Sequence, residues 1–260
     1  MIKATKLEFR LRYILHALVF VLGFWAPWNL ITPIDPRGPN AHVWGILAAN
    51  LSQLGVGSLL TSFNVLLVTA ILCAFLGASL RTWGTAFLGA GVVRSGTMQT
   101  AQPSTPASIE GDGILTDGPF GYLRNPLYLG TFLHTLALSL LMPRSGAIFA
   151  IVVIGVMQVR LILGEEAYLS QKLGAPYLAY CGLVPRLFPS LRRKAARTGR
   201  VPHWGQAFLT EAYFWAVPIA YATLGWDYNA ARLIQGVIVA FGIQIVCIAL
   251  VPAGKKTAEA

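Results

Sequence analysis

The sequence predicts an all-α fold, a polytopic membrane bundle of about six transmembrane helices. Three observations predict it. Hydrophobic residues make up 55% of the 260-residue chain and charged residues only 12%, about half the ~25% charged share of a soluble domain. The apolar residues gather in long runs rather than in amphipathic stripes. The basic residues lie mostly between those runs, as membrane topology requires. A formal charge of +10 would point to nucleic acid only if the cations sat on one folded soluble face, and this placement excludes that reading.

Residues 1–12 carry Lys3, Lys6, Arg10 and Arg12, and the apolar run Tyr13–Ile31 follows. The run is long for a signal peptide and ends in Trp25, Pro27 and Trp28 without a small-residue cleavage site. It reads as a retained first span with an aromatic belt at its far end. Thr32–Asn40 is a Pro/Gly loop. Residues 43–58 are interrupted by Asn50, Ser52, Gln53, Gly55 and Gly57, so they read as an interfacial or re-entrant piece, with Leu59–Leu80 as one crossing. Two full crossings here would invert the later charge bias.

Gly84–Gly96 reads as an interfacial helix, and the polar stretch Thr97–Asp112 as an exposed loop. The stretch Gly113–Gly130, GILTDGPFGYLRNPLYLG, runs from polar turns into an apolar helix. Asn125 is a preferred N-cap, and Pro126 suits the first helical position because its missing N–H would be unpaired there. Two crossings follow, Leu127–Met142 and Ala147–Leu163, joined by a hairpin at Pro143-Arg144-Ser145-Gly146. Both are short for a ~30 Å hydrocarbon core at 1.5 Å per residue, so their helices should extend past the membrane on the side of Asn125 and Glu165.

Residues 164–191 leave the membrane. Lys172 with Gly174 marks a helix C-terminus, and Pro176 opens a short helix carrying Tyr177 and Tyr180. The basic run Arg192–Arg200 is most simply a topology signal that touches anionic lipid. Two last crossings are expected at about Ala207–Leu224 and Leu233–Pro252. Of 20 Lys and Arg, only Arg37, Arg144 and Arg232 then fall on the far side, which places both termini, Arg124 and Glu165 in the cytoplasm. Three regions result: an N-terminal transmembrane and interfacial region (1–63), a core (64–190), and a basic loop with two extra helices (191–260).

Cys73, Cys181 and Cys247 are far apart, and the four histidines are scattered, so neither a disulfide framework nor a metal site is expected. Arg160, Glu165 and Glu166 stand near the cytoplasmic end of the fourth crossing, where ionisable groups are costly unless paired, hydrated or bound to a ligand. Spacings of five and six keep Arg160 off the face of either acid, so each needs a partner from elsewhere. Glu165 leaves from an apolar stripe between Leu161 and Leu169. It suits hydrogen bonds from a ribose or an amine; the plain alternative is an interfacial acid paired with Arg124 or Arg186. Tyr128, Tyr168, Tyr177 and Tyr180 either line a site or form an aromatic belt. His134, mid-span, suits an interhelical hydrogen bond. Neither Gly89-Ala90-Gly91 nor Gly111-Asp112-Gly113 follows a strand, and there is no P-loop or GxSxG, which excludes a soluble Rossmann-type enzyme.

The order of motifs is more specific than any one of them. Arg124-Asn125-Pro126-Leu127-Tyr128-Leu129-Gly130 is followed, after a helical hairpin, by Glu165-Glu166-Ala167-Tyr168-Leu169, then Gly174-Ala175-Pro176-Tyr177-Leu178-Ala179-Tyr180 and Val184-Pro185-Arg186. Over about residues 64–190 this resembles the isoprenylcysteine carboxyl methyltransferase and phospholipid methyltransferase superfamily of integral membrane enzymes. Asn125 stands where many relatives have His. Asn cannot act as a base near neutral pH. The last two crossings lie beyond the family core.

The resemblance implies S-adenosyl-L-methionine as cofactor, in a pocket on the cytoplasmic side. Gly113, Ile114 and Leu115 would offer backbone contacts, and Phe120 would pack on the adenosine or line its pocket. Asn125, Pro126 and Tyr128 would hold the methionine end, and Glu165 a polar part of the cofactor. It implies Arg160 and Asn125 as catalytic candidates, Arg160 meeting a substrate carboxylate one residue out of the family register. A helix N-terminus independently suits a carboxylate. The expected activity is methyl transfer to a lipophilic or membrane-partitioned acceptor, isoprenylcysteine O-methylation being the closest named reaction. A phospholipid amine or a small thiol is the alternative acceptor. A transporter or complex subunit is the reading from another class, and it would predict inverted repeats and broken helices at the midplane; the sequence has neither.

Overall fold

The computed structural model describes residues 3–31, 42–95 and 114–250, and no strand occurs among them. The expected loops 32–40 and 97–112, and Gly113, lie outside the described residues.

Helix α1 (Lys6–Trp25) opens with a capping box: the Thr5 hydroxyl accepts from the Glu8 amide while the Glu8 carboxylate accepts from the Thr5 amide. Pro27 ends the first span, and a single turn, α2 (Trp28–Ile31), follows. Helix α3 (Val43–Gln53) has 11 residues, about 17 Å at 1.5 Å per residue, too short to cross a membrane alone. It docks instead on the hairpin before Pro143, where the Val43 and Trp44 amides donate to the carbonyls of Met142 and Leu140.

Helix α4 (Leu59–Leu88) is 30 residues long. The apolar run read from the sequence ends at Leu80. The helix runs on because Arg81 is buried and paired, and it stops only at Gly89, whose φ of 94° breaks the helical turn. A short α5 (Ala90–Ser95) follows. Helix α6 (Pro126–Ser139) and helix α7 (Arg144–Leu173) form the central hairpin. Helix α7 continues ten residues past Leu163, the end of its apolar run, and so extends as expected beside Glu165. Gly174, at φ 62°, ends α7 and starts α8 (Ala175–Leu183).

The fifth expected crossing is broken. Glu211 separates α9 (Trp204–Thr210) from α10 (Ala212–Leu224), and α11 (Ala230–Leu250) closes the described chain. Among the described residues, three helices are long and apolar enough to span a membrane: Leu59–Leu88, Arg144–Leu173 and Ala230–Cys247. Of the other expected crossings, α6 and α10 have only 14 and 13 residues, and α1 carries Lys6, Glu8, Arg10 and Arg12 within its 20.

The packing is that of a membrane protein. Along α4, Ala70, Ala74 and Ala78 face inward while Leu72, Phe75 and Leu76 point out. Without a hydrophobic force between helices in lipid, small residues let backbones approach and large ones face acyl chains. The α4–α6 crossing shows the consequence. A Cβ on Gly77 would stand 2.7 Å from the Gly130 carbonyl oxygen, and one on Gly130 would stand 2.6 Å from that of Gly77. One apolar core runs from Trp44 through Leu67, Leu138 and Ile154 to Tyr221 and Leu233.

Candidate active site

The site is built where α6 starts, α7 leaves the apolar region and the segment after α8 returns. The turn Gly118–Gly121 is buried, and the Tyr180 hydroxyl of α8 donates to the Phe120 carbonyl at 2.8 Å. Burial pushes the Tyr180 phenol above its ordinary value, so it remains a donor. Tyr177, Tyr180 and Val184 form a small apolar cluster against which Ile114 packs. The Arg124 amide donates to the Pro185 carbonyl at 2.9 Å, which brings the Val-Pro-Arg segment against the Asn-Pro segment.

Glu166 is the hub. Its Oε1 accepts from Asn125 Nδ2 at 3.1 Å and lies 3.3 Å from Arg124 Nη1. Its Oε2 accepts from Arg186 Nε and Nη2 at 3.0 and 2.8 Å. Asn125 Nδ2 also reaches the Arg186 carbonyl at 3.2 Å. Asn125 therefore holds the N-cap position without capping: its side chain turns to Glu166 rather than to the first amides of α6. Turning Nδ2 to the buried Glu166 carboxylate makes a charge-assisted hydrogen bond. Glu166, not Glu165, pairs with Arg124 and Arg186.

Glu165 instead accepts from the Tyr128 hydroxyl at 3.0 Å, within reach of the charge of Arg12 on α1. So Asn125, Tyr128 and Glu165 share one neighbourhood, with Pro126 buried at the first position of α6 and Ile114 and Leu115 half-buried on the loop before it. Arg160 lies with the N-terminal helix: its guanidinium donates to Glu8 at 2.9–3.1 Å. The partner that spacing required comes from 152 residues away.

Two features escaped sequence reasoning. The first is a strap, residues 190–200, laid over the loop 114–122. The Ser190 and Lys194 amides donate to the Tyr122 and Gly121 carbonyls, and Arg193 Nη2 to that of Thr116. Buried Asp117 accepts from the amides of Thr198 and Arg200 and from the Thr198 hydroxyl. Burial alone would raise the Asp117 carboxyl. The hydrogen bonds from Thr198, Arg200 and Gly199 outweigh it and hold the group below its ordinary value. The second is Arg81, which donates to Glu211 at 2.7 and 3.1 Å and to Thr131 at 2.7 Å, and stacks on Phe214. Arg81 also reaches the Leu127 carbonyl in the first turn of α6. The only sequence trace of it was a lone Arg inside an apolar run.

Arg124 Nε is buried without a hydrogen-bond partner among the described residues. An orphaned cationic donor beside a helix start with no side-chain cap suits the carboxylate of an amino-acid-like ligand. The residues present therefore fit the methionine end of the implied cofactor.

The model of the phospholipid methyltransferase family matches residues 65–175. No curated protein matches the chain, and no solved structure does.

Proposed function

We propose, from the match of residues 65–175 to the phospholipid methyltransferase family model and from the motif order that resembles the same superfamily, an S-adenosyl-L-methionine-dependent integral membrane methyltransferase acting on a lipophilic acceptor. The observation that carries the proposal is the Glu166 hub, which draws Asn125, Arg124 and Arg186 to one point inside or beside the matched segment.

The cofactor supplies a methyl group on a sulfonium whose departure as a thioether needs no acid. The chain's own residues then have three tasks. Arg124 Nε and the first amides of α6 bind a carboxylate. Glu165, oriented by Tyr128, takes an ammonium or hydroxyl group, while Ile114, Leu115 and Phe120 shelter the apolar part. Asn125 keeps the helix start in place through Glu166 and acts as a positioning group, since its amide has no basic nitrogen. Catalysis rests on proximity and alignment with a membrane-borne nucleophile.

The family match favours a phospholipid amine as acceptor. A carboxylate acceptor such as a prenylcysteine would have to take the Arg160 guanidinium from Glu8, which holds it at 2.9 Å. Both readings share the cytoplasmic orientation that the charge bias predicts. The test is transfer of labelled methyl from the cofactor to membrane extracts, with identification of the labelled species. A labelled lipid supports the proposal; no transfer, together with no binding of S-adenosylhomocysteine to the purified protein, overturns it.

A further inference from the structure

The strap and the residues just before it also carry exposed apolar side chains. Phe188 is 86% exposed and Leu191 101%. Arg192, Lys194 and Arg197 beside them are exposed as well, and residues 187–202 contain no acid. The remaining two cations of the run turn inward. Arg193 binds the carbonyls of Thr116 and Ala195, and Arg200 that of Phe87. The segment thus has an inner face of hydrogen bonds and an outer face of apolar and cationic side chains. Leu178 and Leu183 of the preceding helix α8 are exposed as well.

An outer face of this kind is costly in water and complementary to one surface. Phe and Leu enter the boundary between headgroups and acyl chains, while Lys and Arg meet anionic headgroups. We propose that residues 188–197 dock on the anionic surface of the bilayer around the protein, and that docking tightens the loop 114–122. The route is short, because Ser190, Arg193, Lys194, Thr198 and Arg200 all bond directly to that loop. The docking stands on the strap alone. Its effect on the methyl donor rests on the function proposed above.

The experiment uses the full chain in nanodiscs of phosphatidylcholine, alone or with phosphatidylglycerol. Hydrogen exchange at the Ser190, Lys194 and Thr198 amides, without cofactor, reads docking. Exchange is expected to slow with phosphatidylglycerol, and the gain to shrink with added salt. Titration with S-adenosylhomocysteine reads the coupling, with affinity rising about fivefold or more. The combined variant Arg192→Ala, Lys194→Ala, Arg197→Ala should lose both gains and keep the values seen in phosphatidylcholine alone. Equal exchange in both nanodiscs, or a gain that survives the triple variant, overturns the docking. Slower exchange with unchanged affinity overturns the coupling. Failure to bind S-adenosylhomocysteine in either nanodisc overturns the methyl-donor reading, and exchange alone then decides the docking.

Discussion

Glu166 accepts hydrogen bonds from Asn125 on one carboxylate oxygen and from Arg186 on the other, so a side chain from α7 fixes both the start of α6 and the segment after α8. Its neighbour Glu165 faces Tyr128 and takes no part in that hub. Two adjacent acids therefore hold different tasks, and substitution separates them. Glu166→Gln leaves Arg124 and Arg186 without their counter-charge. With Arg186 half exposed, the expected loss is about 2–3 kcal/mol, read as a lower melting temperature in detergent. Glu165→Gln should melt like the wild type and bind S-adenosylhomocysteine about tenfold or more weakly, the worth of one hydrogen bond to a charged group.

The buried pair Arg81–Glu211 joins α4, inside the segment that the family model matches, to the residue between α9 and α10. Glu211→Gln should cost about 3–5 kcal/mol, because a buried guanidinium is left uncompensated. Replacing both residues by Met should recover most of that loss. A double-mutant cycle on thermal unfolding measures it. Equal destabilisation by the single and double variants would refute the pairing as the cause.

The hydrogen bonds to Asp117 set the sign of an expected pH dependence. Its folded value lies below the ordinary one, so its contribution is complete above the usual carboxylate range and is lost as pH falls through the folded value. Asp117→Asn should therefore melt lower than wild type at neutral pH, by about 1–3 kcal/mol of lost charged hydrogen bonding. The gap should close in acid. A gap that is constant with pH would mean that the carboxylate charge does not hold the strap.

Arg160 and Glu8 provide a test of acceptor chemistry. If Arg160 meets a substrate carboxylate, that carboxylate competes with Glu8 for the guanidinium. Glu8→Gln should then lower the acceptor KM, and Arg160→Ala should raise it, both with unchanged S-adenosylhomocysteine affinity. Loss of cofactor binding in Arg160→Ala would assign the arginine a structural role.

Much of the frame was legible because its causes are local. Gly174, Pro176 and Pro126 punctuate helices through backbone geometry alone, and they do so here. The end of α4 was not legible. Arg81 reads as a boundary until Glu211, 130 residues later, is known to neutralise it. For the same reason Glu211, inside an apolar run, splits α9 from α10 where the sequence showed one crossing. The strap left no trace, since Asp117 meets Thr198 across 81 residues through backbone amides that every sequence possesses.

The sequence by itself determined the class of the molecule and the order of its helices, because apolar runs, caps and breakers act within a few residues. It also brought Asn125, Tyr128 and the two glutamates to attention. Only the tertiary structure decided which acid meets which partner. Glu165 and Glu166 are chemically identical neighbours, and the turn of α7 sends one to Tyr128 and the other to Asn125 and the arginines. That choice depends on side-chain direction around a helix and on segments far along the chain, neither of which spacing can encode.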